Sequence, residues 1–198
     1  YKDLSISVID ALPFDRRNVK SYTVNSSQNE KIYAAIRRAA EKNLKSFIVC
    51  PAIDSEDMEN VNSTYEEAEK RLAPYKAAAL TALTSEEKKR EIMDRFAYKD
   101  ICTVIATSVI EVGIDVKGAC LIWIKGSERF GLSQLHQLRG RVGRAGEEAV
   151  CFFHTDSTNE KVIKRLAMLC DTKDGFEVAK LDLKIRGAAE RKKRQCAS

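Results

Sequence analysis

The stretch Thr103-Val104-Ile105-Ala106-Thr107-Ser108-Val109-Ile110-Glu111-Val112-Gly113-Ile114-Asp115-Val116 decides the fold. Its first four residues form a short apolar run of the kind a buried strand presents. The run ends in two hydroxyl residues, and a Gly-x-Asp follows. A strand that stops in this way places Thr107 and Ser108 at its C-terminal end, the edge at which open α/β sheets bind ligands. Thr107 and Ser108 offer hydroxyls and amides to phosphates. Gly113 allows an unusual turn, and Asp115 then presents a carboxylate suited to ribose hydroxyls. Taken alone, the same residues serve equally well as helix caps and a solvated aspartate.

Outward from this stretch, apolar runs alternate with helical patterns. Strand-like runs are expected at Ile6–Ile9, Ser21–Val24, Phe47–Cys50, Leu121–Ile124 and Val150–Phe153. From Glu30, Ile32, Ile36 and Ala39 recur on one helix face. Asp54 to Asn62 is polar and acidic and reads as a surface loop. Ser63 with Glu66 and Thr64 with Glu67 then match capping boxes for the helix that follows. Thr84 with Glu87 is a further box, before a helix expected to bury Ile92, Met93 and Phe96. A last pair of helices, at about 159–187, starts with Val162, Ile163, Leu166, Leu169 and Cys170 on one face. Strands separated by helices imply βαβ units and a mainly parallel sheet with helices on both faces.

Composition narrows the function classes. The chain has 198 residues, 44% of them hydrophobic, enough for one sizeable core. No run of 18 apolar residues is present, so no membrane partner is expected. Tyr1-Lys2-Asp3-Leu4 carries no signal-peptide pattern, and without an initiator Met the chain is expected to belong to a longer protein. Cys50, Cys102, Cys120, Cys151, Cys170 and Cys196 have no metal-ligand spacing, and His136 and His154 are isolated. Buried, reduced thiols in a cytoplasmic protein are expected. Trp123 lies in a strand run and is expected in the core. The net charge is +5, but Arg186, Arg191, Lys192, Lys193 and Arg194 outnumber Glu190 in the tail and supply most of it. A near-neutral body does not attract nucleic acid by its field alone, so any such binding rests on local groups.

Gln134-Leu135-His136-Gln137-Leu138-Arg139-Gly140-Arg141-Val142-Gly143-Arg144-Ala145-Gly146 supplies such groups. Arg141 and Arg144 are three apart, so on a helix they point the same way. Two glycines beside arginines suit close approach of a polyphosphate, and the guanidinium fork holds phosphate oxygens bidentately.

Together, ATSVIEVGIDV and ERFGLSQLHQLRGRVGR resemble motifs V and VI of superfamily 2 helicases, the second string being typical of RecG-like helicases. ISVIDALPFDRRNVKSYTV, FIVCPAI and GFEVAKLDLKIRG extend the resemblance from residue 4 to about 187. It implies a RecA-like motor domain over 1–157 and a helical hairpin coupling motif with a basic tail over 158–198. It implies ATP bound between two motor domains, with Gln137, Arg141 and Arg144 facing the phosphates and Arg144 as the arginine finger. Gly113 and Asp115 would touch the ribose, and Thr107 and Ser108 the backbone of branched or duplex DNA. The first motor domain would hold most of the ATP and its Mg2+, since no Gly-x-x-x-x-Gly-Lys-[Ser/Thr] phosphate cradle and no acidic box occur here. Such a chain should not hydrolyse ATP alone; its partners would be that domain and a DNA-gripping wedge domain of the same protein. The bacterial cytoplasm, near the nucleoid, is the implied location. The corresponding domain of a transcription-repair coupling factor and a non-hydrolysing nucleic-acid-binding module are the alternatives. Two segments depart from the family pattern. Ala79-Leu80-Thr81 stands where Leu-His-Gly is usual, and Ala188-Ala189-Glu190-Arg191-Lys192-Lys193 replaces Pro-Gly-Glu-Leu-Leu-Gly.

Overall fold

The computed structural model describes residues 19–51, 57–107, 116–144, 146, 148–172 and 178. Six strands, β1 (Val19–Val24), β2 (Lys45–Cys50), β3 (Lys76–Leu80), β4 (Ile101–Thr107), β5 (Ala119–Ile124) and β6 (Ala149–His154), form one sheet. Its order is β1-β6-β5-β2-β4-β3, and every neighbouring pair runs parallel. Every residue of β2, β4 and β5 is buried. That is why these strands read as continuous apolar runs: a parallel strand covered on both faces has no polar side to alternate with.

The helices are α1 (Asn29–Glu41), α2 (Asp57–Leu72), α3 (Glu86–Tyr98), α4 (Leu132–Arg139) and α5 (Glu160–Asp171). On one face, Ile32, Tyr33 and Ile36 of α1 and Val61, Ala68 and Leu72 of α2 pack against Ile48, Ile105 and Trp123. Trp123 is fully buried, with Tyr33 edge-on at 5.2 Å between ring centroids, an arrangement that aromatic quadrupoles favour. The other face packs Ile92, Met93 and Phe96 of α3, Leu132, Leu135 and Leu138 of α4, and Leu166 and Leu169 of α5 into a second core.

Several sequence expectations are corrected. Residues 57–62 belong to α2, not to a surface loop, so Ser63 and Thr64 lie inside the helix and cap nothing. The buried positions Val61, Thr64, Ala68 and Leu72 lie on one helix face, but only Val61 and Leu72 are strongly apolar, too weak a stripe to show through polar neighbours. The cap of α3 is Ser85, whose side chain accepts from the Lys88 amide. Thr84 instead closes a turn, accepting from the Thr81 amide at 3.0 Å. Replacing Ser85 with alanine is expected to cost about 1 kcal/mol, measurable as a lower urea midpoint at unchanged slope. Strand β3 was not anticipated, because Lys-Ala-Ala-Ala-Leu carries little strand propensity; its pairing with β4 makes it a strand. Ile163 of α5 is 42% exposed and leaves the apolar face on which it was expected.

Among the described residues, Cys50, Cys102, Cys120 and Cys151 are buried free thiols and Cys170 is half-buried. No group there could hold a metal ion, and no helix is long and apolar enough to cross a membrane. The expected strand at Ile6–Ile9 lies outside the described residues, as does the second helix of the C-terminal pair apart from Val178, which is helical and buried in the second core. Helix α5 itself packs against the sheet beside β1 through Leu166 and Leu169, with Cys170 Sγ 3.7 Å from Thr23 Oγ1.

Candidate functional site

The segment from Arg139 to Arg144 is built around the end of α4. The helix stops at Arg139, where Gly140 donates its amide back to His136 and Leu138 carbonyls. Arg141 and Arg144 therefore lie beyond the helix, on a turn, and not on the helix face their spacing suggested. Val142 is fully buried and anchors the turn in the core. Gly143 follows with φ at +70°, a conformation that disfavours any side chain, and its amide donates to the Ala119 carbonyl at 2.9 Å. Arg141 is half-buried and Arg144 exposed. Arg144 Nε reaches back to the Gly140 carbonyl at 3.0 Å, so its side chain folds toward the residue that precedes Arg141. Gln137 lies on the exposed side of α4.

Arg139 departs from the other two arginines. It is 7% exposed and points inward, where Nη1 donates to the carbonyls of Leu169 and Thr172, both at 2.8 Å. These carbonyls lie at the C-terminal end of α5, where a cation also meets the negative end of the helix dipole. Spacing alone could not have told this arginine from its neighbours.

Thr107 ends β4 and is 8% exposed. It pairs with Cys50 at the C-terminal end of β2, whereas Ala119, to which Gly143 is tied, pairs with Lys45 at the start of β2. Five strand steps separate those levels, roughly 17 Å. The two candidate groups thus do not share the C-terminal edge. Thr107 stands there, and the turn of Arg141 and Arg144 stands at the opposite end of the sheet. Ser108, Gly113 and Asp115 lie outside the described residues. Val116, bonded to Asp115, is buried, and its carbonyl accepts from the Ala119 amide at 3.3 Å. The backbone of Ala119 therefore holds the end of the Gly-x-Asp segment with one group and the arginine turn with the other.

The C-terminal edge carries groups that sequence reading passed over. Thr64 of α2 is 3% exposed; its hydroxyl accepts from Lys125 Nζ at 3.2 Å and from Cys50 Sγ at 3.7 Å. Nearby, Ser26 Oγ donates to Asp156 Oδ2 at 2.5 Å and lies 3.3 Å from His154 Nε2. Burial holds the His154 imidazole below its ordinary range, and the hydrogen bond from Ser26 lowers the Asp156 carboxyl. A buried threonine inside a helix and a histidine ending a strand leave no spacing pattern by which to find them.

The model of the helicase conserved C-terminal domain matches residues 27–146. The chain belongs to the helicase conserved C-terminal domain family. Within that family it is similar to ATP-dependent DNA helicase RecG of Thermotoga maritima, 40% identical over 194 residues, which cover 96% of this chain and 25% of the relative. RecG of Treponema pallidum is 37% identical over 96% of this chain and 28% of its own length. The chain spans about a quarter of the length of the curated relatives it matches. A solved RecG bound to a three-way DNA junction superposes with a TM-score of 0.78 at 38% identity, over 92% of this chain and 24% of that one. Dbp5 of S. cerevisiae, bound to RNA and ADP BeF3, superposes with a TM-score of 0.60 over 85% of this chain and 46% of that one. At 15% identity it supports the fold alone. The RecA-like α/β architecture of this helicase C-terminal domain is thus the one the sequence implied, and the resemblance to RecG holds over nearly the whole chain.

Proposed function

We propose that this chain is the second of two motor domains in an ATP-dependent DNA translocase that remodels branched DNA, such as replication forks and recombination intermediates. Residues 1–157 form the motor domain, and 158–198 form the helical hairpin and basic tail that convert closure of the cleft into movement of DNA. Arg144 is the arginine finger, with Arg141 and Gln137 beside it on the phosphates. Gly113 and Asp115 meet the ribose, and Thr107 and Ser108 hold the DNA backbone. Contacts of that last kind carry no sequence information, as a motor that walks on any sequence requires.

The observation that carries this reading is the double grip of Ala119 on Val116 and Gly143. It brings the residue bonded to Asp115 and the turn of Arg141 and Arg144 to one strand end, as a single nucleotide with ribose and phosphates needs. Guanidinium and amide donors, half-buried or exposed at that end, suit a polyphosphate. ATP itself, with Mg2+, is held mainly by the first motor domain, and the acceptor of its γ-phosphoryl is water. Separation of Thr107 from this end suits a domain that touches nucleotide and DNA at opposite sides of one sheet. Similarity to RecG helicases over 96% of the chain favours this reading over a coupling-factor domain. A cytoplasmic place and a part in DNA repair and recombination belong to the same proposal.

The test is reconstitution. This chain alone is expected to release no phosphate from ATP above background. Supplying the first motor domain and the wedge domain, in one polypeptide, is expected to give DNA-stimulated hydrolysis. Hydrolysis by the isolated chain, or none by the joined protein, overturns the assignment.

A further inference from the structure

Lys125 is the residue immediately after β5. Its amide donates to the Val49 carbonyl at 2.8 Å, which sets it level with Cys50, and Cys50 pairs with Thr107. Lys125 and Thr107 thus flank the end of β2, two strand spacings or about 10 Å apart. Both side chains leave on the same face of the sheet. Lys125 follows Trp123 by two residues and Thr107 follows Ile105 by two, and Trp123 and Ile105 belong to the core under α1 and α2.

The lysine is held in place rather than left to wander. Gly126 adopts φ of +58°, and a Cβ there would press to 3.2 Å on Pro51. Ser127 Oγ donates to the Ile124 carbonyl at 2.8 Å, and the Arg129 amide to the Gly126 carbonyl at 3.0 Å. Along the stem, Nζ lies 5.3 Å from the centre of the Trp123 ring. Thr64 accepts one of its three protons at 3.2 Å. Among the described residues no carboxylate lies within ion-pair distance of Lys125. Asp156, the nearby acid, is hydrogen-bonded by Ser26 and feels the Lys125 charge from beyond ion-pair distance. A half-buried ammonium with donors beyond the one that Thr64 accepts, set beside a buried threonine hydroxyl at the end of β2, suits an anion carried in by a ligand.

We propose that Lys125 contacts a phosphodiester of the DNA backbone, next along the strand from the one met at Thr107. The proposal rests on the DNA reading of Thr107 above and extends it across β2 to β5. Lysine serves here as a point charge, adding affinity without reading sequence.

The experiment measures binding of a fluorescein-labelled three-way DNA junction by the protein carrying both motor domains, across a series of salt concentrations. Lys125→Gln, Lys125→Arg and Thr107→Val are compared with the unaltered protein. Loss of one phosphate contact is expected to make the slope of log K against log salt shallower by about 0.9, with Kd weakened about tenfold at low salt. Lys125→Arg is expected to keep the original slope. An unchanged slope in Lys125→Gln overturns the proposal even if affinity falls, because a merely structural lysine would weaken binding through stability without altering the count of released ions. If Thr107→Val weakens binding while Lys125→Gln does not, the DNA reading stands and the Lys125 assignment fails. If the unaltered protein binds no junction, the DNA reading fails and Lys125 goes with it.

Discussion

With both motor domains present, replacing Arg144 with alanine is expected to lower kcat for ATP hydrolysis by about a thousandfold or more, with KM changed far less. The expectation follows from what an arginine finger does. Its charge meets the transferring phosphoryl group most strongly when negative charge has moved onto the bridging and equatorial oxygens, so its loss falls on the transition state rather than on ground-state binding. Arg144 is exposed, and its Nε donates to the nearby Gly140 carbonyl; an exposed side chain on a turn is expected to leave the thermal midpoint within a degree or two of the original when replaced. Lysine is expected to restore little, because a single ammonium does not reproduce the planar fork. Steady-state phosphate release checks the rate, and a thermal melt checks that the fold is intact. Activity within a few-fold of the original would remove Arg144 from the phosphoryl group.

Replacing Arg139, five residues earlier, is expected to do the reverse: to damage the fold first. The alanine variant should lose about 2–4 kcal/mol of stability, read from urea unfolding. The buried Nη1 serves two carbonyls, Leu169 and Thr172, at 2.8 Å each. Without it the buried Leu169 contact and the part-buried Thr172 contact lose their guanidinium donor, and the space of a long side chain is left behind. Truncation of a buried, hydrogen-bonded cation is among the few single changes that cost this much. Amide exchange in the last turn of α5 should accelerate more than exchange in α1, since Arg139 closes that end. A loss under about 0.5 kcal/mol would mean that water replaces the guanidinium at no cost.

The pair also marks how far the sequence could be read. Strands β2, β4 and β5 were legible because burial on both faces writes itself as an apolar run, β6 because its half-buried face is apolar too, at Val150 and Phe152, and α1 because Ile32, Ile36 and Ala39 repeat at helical spacing. Strand β3 was not, because alanine satisfies strand and helix alike and only its pairing with β4 decides. The start of α2 hid behind acidic residues whose helical state depends on Val61 and Leu72 reaching the core. At the candidate site, the residue types were legible, but their directions were not. Three arginines within six residues look equivalent until α4 is seen to stop at Arg139, whose side chain reaches α5, while Arg141 and Arg144 fall on the turn beyond, half-buried and exposed. Nor does spacing show that Val116 lies at the far end of the sheet from Thr107, since that follows only from the pairing of Ala119 with Lys45 and of Thr107 with Cys50. Ser108, Gly113 and Asp115 rest on their residue chemistry and the family resemblance.

Among the described residues, strand β1 stands at the rim of the sheet and is partnered by β6, Val19 with Ala149 and Val24 with His154. Some 130 residues must leave the ribosome before the first of these strands meets its mate. Until then β5 also lacks one neighbour, and the apolar floor beneath α4 and α5 faces water. Such late, distant closure belongs to slowly folding topologies, so a nascent chain halted before β6 holds an unfinished sheet with an open, adhesive flank. For this domain, assembly is governed less by how quickly its helices form than by the moment its last strand arrives.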